Sequence, residues 1–176
     1  MQRVPLWLHI VVRVDFVLAV LLTVIAPLAL LSRAALSKQP EQLRTLIGYW
    51  RASSLLMVTV YLLNGQRRTA YATGVVARLL IPWSLRTNPT NHDPLFAAWR
   101  SAVIGYCLVG AGLNAPMLPS LVSRTPSLVA QAYVKPAQEF GNLLHPGIAK
   151  HTLGRVGEIG LLAYILGAII VLKYGW

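Results

Sequence analysis

Apolar residues along this chain come in long uncharged runs, separated by short stretches of Arg, Lys, Pro, Asn and Gln. That pattern predicts helices that cross a bilayer, not surface helices with one apolar stripe. Residues 16–32 ("FVLAVLLTVIAPLALLS") carry no charge, and with Asp15 they predict a first span over about 15–32. Pro27 falls near the end of that run, where a kink is tolerated. A polar link, "RAALSKQPEQLR", follows, and its Pro40 and Glu41 suit the start of a second helix spanning about 45–64. "NGQRR" is then a turn signal followed by two positive charges.

The third run, about 70–85, is marginal. Its six strongly apolar residues contribute about −3 kcal/mol to insertion, whereas Arg78 at the centre opposes it by about 2.5–3.5 kcal/mol. The segment therefore either crosses with a partner for Arg78 or dips in and returns. "RTNPTNHDP" reads as a loop, and a further span covers about 95–118. Residues 119–154 form the longest segment outside the spans. Within it Pro136 is expected to open a short helix, "PAQEFGNLL", lying in the membrane interface. The last span covers about 155–173, and the terminal "KYGW" resembles an interfacial anchor. The expectation is one all-α membrane domain over residues 1–176, a bundle of four to five transmembrane helices.

Composition agrees with the pattern. The chain is 56% hydrophobic and only 12% charged, about half the charged share of soluble domains. Its net charge of +11 is spread singly between apolar runs, so anionic lipid headgroups fit better than nucleic acid. On a five-span reading, Arg3, Arg13, Arg67, Arg68, Arg124, Lys135, Lys150 and Arg155 share one side. Arg33, Lys38, Arg44, Arg86, Arg100 and Lys173 share the other, and the bias favours a cytoplasmic amino terminus. The first apolar stretch is broken by His9, Arg13 and Asp15, which reads as a retained anchor and not a cleaved signal. Cys107 is the single cysteine, so an intramolecular disulfide is excluded.

Two arginines head apolar runs beside tryptophan, in "YWRASSLLMVTVYLL" and "AWRSAVIGYCLVGAG". Trp50 with Arg51 and Trp99 with Arg100 are expected near one membrane face. There they serve as snorkelling anchors or as a paired site for a lipid phosphate or a partner's carboxylate. Arg78 lies deeper. Glu158 has Arg155 within helical reach, whereas Asp15 cannot face Arg13. Asp15 is thus the expected partner of Arg78, as a structural ion pair or as part of an ion pathway. Small residues mark two packing faces: Ser101, Gly105 and Gly112 on the fourth span, and Gly157, Gly160 and Gly167 on the fifth.

Catalytic and metal chemistry is poorly provided for. His9, His92, His145 and His151 lack metal-ligand spacing, and no phosphate loop, nucleophile elbow or carboxylate pair occurs. The expectation is a non-enzyme with no metal and no assigned cofactor. Bound lipid is expected, and chlorophyll or carotenoid contact through amide, water or backbone groups stays open.

At "YWRASSLLMVTVYLL", "ARLLIPWSL" and "PLFAAWRSAVIGYC" the chain resembles a family of small polytopic membrane proteins of cyanobacteria that carries a domain-of-unknown-function label. The similarity runs from about Asp15 to Leu172. It implies a thylakoid or plasma membrane location, and photosynthetic complexes as partners. The resulting expectation is an accessory or assembly subunit packed against a photosystem or its antenna. The alternative is a small transporter or channel subunit using Asp15 and Arg78.

Overall fold

A computed structural model describes residues 4–86, 93–123 and 125–174. Arg3, His92, Arg124 and Trp176 lie outside the described residues. Every regular element among those described is helical. We number them α1 (Leu6–Leu36), α2 (Pro40–Asn64), α3 (Thr69–Leu85), α4 (Pro94–Asn114, continued by a 3-10 turn over Ala115–Leu121), α5 (Leu128–Leu144) and α6 (Lys150–Tyr174). Four segments are long and apolar enough to cross a membrane: Leu6–Leu36, Pro40–Asn64, Pro94–Leu121 and Lys150–Val171. The protein is an all-α membrane bundle.

Helix α3 settles the geometry of the marginal segment. It has 17 residues, about 25 Å at helical rise, and is unbroken despite Pro82. Its start, at Ala70 and Tyr71, packs in an apolar cluster with Leu8, Val12, Leu62, Met117 and Tyr133. Its end, at Ile81 and Leu85, packs in a second cluster with Leu30, Leu46, Tyr49, Phe96 and Trp99. A helix joining the two clusters runs from one end of the bundle to the other and does not turn back. Between the clusters lies a polar layer: Asp15, Thr59, Thr73, Arg78 and Asn114, all buried.

Two elements differ from the sequence reading. The first helix begins at Leu6, not near residue 15, because Leu8 and Val12 are buried against the bundle and offset the exposed Arg13 on the same helix. The helix in the region 119–154 is not a short one opened by Pro136. It begins at Leu128, with the Ser127 hydroxyl accepting from the Ala130 amide, and Pro136 lies inside it. Ala130, Ala132, Ala137 and Gly141 are buried, and such small residues let α5 approach α1 and α2 closely. Asn64 at the end of α2 donates to the Ala137 carbonyl at 3.2 Å.

Helix α1 changes to π spacing over Leu21–Ile25, where the Ala26 amide bonds the Leu21 carbonyl five residues back. Pro27 has no N–H for the carbonyls four and five residues before it, Thr23 and Leu22. Away from water such carbonyls need another donor. The Tyr49 hydroxyl supplies one to Thr23 at 2.8 Å, and the Trp99 indole supplies one to Leu22 at 2.9 Å. The two rings meet edge to face at 5.1 Å. Tyr49→Phe is expected to lower stability by about 1–3 kcal/mol through the stranded carbonyl. Pro27→Ala in the same chain should recover part of the loss by restoring an amide donor, as read by melting in detergent.

At the α2/α4 end, Asp93 caps α4 by accepting from the Leu95 amide at 3.0 Å. It also receives Gln42 at 3.2 Å and Arg33 at 3.3 Å. Burial alone would raise its pKa, but the Gln42 hydrogen bond, the Leu95 and Phe96 amides and Arg33 outweigh this, so the carboxyl lies below its ordinary value. A lowered folded-state pKa favours the fold above the ordinary carboxylate value and loses that contribution as pH falls through the folded pKa. Wild-type melting temperature should therefore fall on acidification below about pH 4. Asp93→Asn, which retains a capping oxygen, should show a shallower fall over the same range.

Candidate functional site

The polar layer is organised around Asp15, which sits on the inner face of α1, two turns and a half into the helix. Arg78 reaches it from α3: Nη2 donates to Oδ2 at 2.5 Å, with the side chains 4% and 5% exposed. The Tyr133 hydroxyl, from α5, donates to the same oxygen at 2.8 Å. From α4 the Tyr106 hydroxyl donates to the Asp15 backbone carbonyl at 2.9 Å. The Arg78 guanidinium lies over the Tyr106 ring, 5.0 Å from its centre, which adds a cation–π contribution. Four helices are thus tied at one residue, α3 and α5 through its carboxylate and α4 through its backbone carbonyl. Charge is balanced within the layer, which is how an ionised pair persists in a bilayer interior.

Room for the guanidinium comes from Gly110 on α4. A Cβ at that position would lie 1.5 Å from Arg78 Nη1. Nη1 and Nε of Arg78, and Oδ1 of Asn114, are buried with no hydrogen-bond partner among the described residues. Beside them is a cavity of about 80 Å³, lined by Asp15, Thr23, Thr59, Gly74, Arg78, Asn114 and Tyr133 together with apolar side chains of α1 and α2. Phe16 and Phe140 close one side, their rings 5.5 Å apart edge to face. Beyond them is an outer groove of about 410 Å³ between α1 and α5, with the exposed Arg13–Glu139 pair, 3.1 Å apart, on its rim.

The structure brings Asp15 and Arg78 together, deeper than a carboxylate at the end of its span would lie. The tryptophan–arginine echoes do not form two equivalent anchors. Trp99 is 6% exposed and turned into the core, where its indole is used by the Leu22 carbonyl. Trp50 and Arg100 are half-buried and Arg51 is exposed. The small-residue faces divide as well. Gly157 is buried, and a Cβ there would lie 2.8 Å from the Leu62 amide nitrogen; one at Gly160 would lie 3.2 Å from Val58. A Cβ at Gly105, Gly112 or Gly167 would meet no neighbouring element within 4 Å, and Ser101 is exposed. The inner face of α4 is instead Val103, Tyr106, Cys107, Gly110 and Asn114. Glu158 on α6 pairs with Arg67 in the link between α2 and α3, at 3.0 Å, and not with Arg155.

Tyr106, Gly110, Asn114 and Tyr133 were not legible as site residues by motif. A signal did exist on α4: Tyr106, Gly110 and Asn114 recur every four residues and so share a face. Polar side chains within a span turn toward the bundle, which marks this stripe, and not the Ser101–Gly105–Gly112 stripe, as the inner one. Among the described residues no group of three or more His, Cys, Asp or Glu converges as metal ligands would.

A family model described as protein of unknown function (DUF3177) matches residues 9–174. The chain belongs to that family. The matched range takes in α2 to α6, α1 from its fourth residue on, and every residue of the Asp15 layer, so the layer belongs to the family domain and not to an added segment. No curated protein and no solved structure matches the chain.

Proposed function

We propose that this DUF3177 protein is a non-catalytic accessory or assembly subunit of a larger membrane complex, a photosystem or its antenna, in the thylakoid or plasma membrane of an oxygenic phototroph. The location follows the resemblance carried by the tryptophan–arginine and "ARLLIPWSL" segments. The observation that carries the accessory role is α6. Its first turns are seated on α2, where a Cβ at Gly65 would lie 2.4 Å from the Gly154 Cα. Leu161 and Tyr164 are still half-buried, but Leu162, Ile165, Leu166, Ile169 and Ile170 are all exposed, and beyond Tyr164 the helix stands clear of its own bundle. Helices associate in lipid through close packing, and an arm fixed at one end is suited to packing against another protein. Arg51, exposed on α2, serves as a headgroup or carboxylate anchor.

The second reading, transport through Asp15 and Arg78, is favoured by the cavity beside them. Against it, one oxygen of the carboxylate is already bonded by both Arg78 and Tyr133 of its own chain. A tagged copy purified in mild detergent from native membranes tests the choice. Stoichiometric recovery with a large pigmented complex is expected. A small, colourless, lone species would reject the accessory role and direct attention to flux.

A further inference from the structure

Helix α6 covers only part of the α2 face on which it is seated. The seat is made by Gly65, Leu62 and Val58, which lie against Gly154, Gly157 and Gly160. Steps of three and four residues keep to one side of a helix. The same face of α2 therefore continues through Ser54, Arg51 and Ile47, and all three are exposed. The antiparallel register, carried on, would set Gly167 and Ala168 opposite Arg51. Yet residues 165–171 are exposed on every side of α6, and a Cβ at Gly167 would meet no neighbouring element within 4 Å. A wedge thus opens between α2 and the last turns of α6, with Arg51 on its α2 wall. Arg51 also lies deep. Gln42, bonded to the Asp93 cap, and the Glu41–Arg44 pair mark one membrane boundary. From Arg44 to Asn64 the helix rises about 30 Å, the thickness of the hydrocarbon core, and Arg51 is two turns inside it. Among the described residues its guanidinium has no hydrogen bond or ion pair.

We propose that this wedge receives a transmembrane helix of the partner complex, and that a carboxylate on that helix pairs with Arg51. The inference rests on the accessory role proposed above and specifies its contact. An unpaired arginine facing lipid at this depth is costly, and ionisable groups there pair with one another. The guanidinium fork is matched by a carboxylate. Headgroup phosphate lies two turns away, at the level of Arg44. A second copy of this chain does not supply the acid. Of its five acidic side chains, Asp15 is buried against Arg78, and Glu41 and Asp93 lie at the α2/α4 end. Glu139 and Glu158 are paired near the opposite end with Arg13 and Arg67. Small residues beside Arg51 leave room for a close approach: Ser54 is exposed, and a Cβ at Gly48 would meet no neighbouring element within 4 Å.

The test uses the full tagged chain, expressed in native membranes and purified in mild detergent. Arg51→Leu should cut recovery of the larger complex by about ten-fold or more, the order expected when one member of a desolvated charge pair is truncated. The isolated variant should melt no lower than wild type, because the guanidinium bonds nothing in its own bundle. A photoreactive benzoylphenylalanine at Ile47, on the same face, should cross-link to a membrane-crossing peptide of the partner that carries Asp or Glu, as mapped by mass spectrometry. Replacing that acid by Leu should lose the complex to a similar extent, and the two replacements together should cost no more than either alone. Full recovery with Arg51→Leu, or additive losses in the double variant, would overturn the pairing and leave the accessory role standing. Cross-links to lipid alone would overturn it in favour of a snorkelling anchor. Wild-type protein recovered as a lone species would overturn both this contact and the accessory role.

Discussion

Arg78→Leu should strip the protein from the membrane. Removing one member of a buried ion pair leaves the other charged and unpaired, and typically costs about 3–5 kcal/mol, a large fraction of a domain's total stability. Here the stranded group would be the Asp15 carboxylate, on a residue 5% exposed and left with the Tyr133 hydroxyl. Asp15→Asn is the reciprocal case: it preserves shape, keeps an oxygen for Tyr133, and leaves the Arg78 cation without a counter-charge. Both single variants should show steady-state levels several-fold below wild type by immunoblot. The double variant Asp15→Asn/Arg78→Met should recover part of the level, because no uncompensated charge then remains and Met fills much of the space. A transport role makes a different forecast. Arg78→Leu would accumulate normally and lose flux, and the double variant would recover nothing.

That experiment also separates two meanings of an intramembrane arginine that sequence cannot separate. The insertion balance around residues 70–85 came out near zero, which correctly demands a partner for Arg78 but says nothing of where the partner lies. Asp15 was legible as that partner by elimination, since acids near the spans are so few. Its depth was not legible. Hydropathy places a span boundary at a charge, whereas α1 continues through Asp15 because a tertiary bond from α3 compensates it. The two tyrosines that finish the layer were hidden for different reasons. Tyr133 falls in a stretch whose small residues and Pro136 read locally as an interfacial segment, and its burial depends on α5 docking against α1 and α2. Tyr106 sits in a run where every face is apolar or small, so the inner face is set by neighbours that are distant in sequence. Trp99 shows the same limit from the other side. Its place beside Arg100 suggests an interfacial ring, yet a proline on another helix leaves a carbonyl that the indole satisfies inside the core.

Glycine substitutions should divide into two classes of opposite sign, and this division bears on the proposed role of α6. Gly65→Ala places a methyl 2.4 Å from the Gly154 Cα, and Gly154→Ala places one 2.8 Å from the Gly65 Cα. The obstacle in each case is backbone, which cannot swing aside as a long side chain can, so α6 must move off α2. Overpacking of this kind costs about 1–3 kcal/mol. It should also break the 3.0 Å Arg67–Glu158 pair and lift Gly157 from Leu62. Cysteines at Val58 and Gly160, adjacent across the two helices, provide the readout: their disulfide should form readily in the parent chain and several-fold more slowly when Gly65→Ala or Gly154→Ala is added. Gly105→Ala and Gly112→Ala meet nothing within 4 Å. They remove the helix penalty of glycine, about 0.5–1 kcal/mol, so the isolated protein should melt no lower and the cross-link should form at the parent rate. If α6 is the arm that holds a partner, Gly65→Ala should also reduce recovery of the larger complex, while the isolated chain still folds around its Asp15 layer. Unchanged recovery with a displaced α6 would remove α6 from the contact and leave the outward face of α4 as the surface to test next.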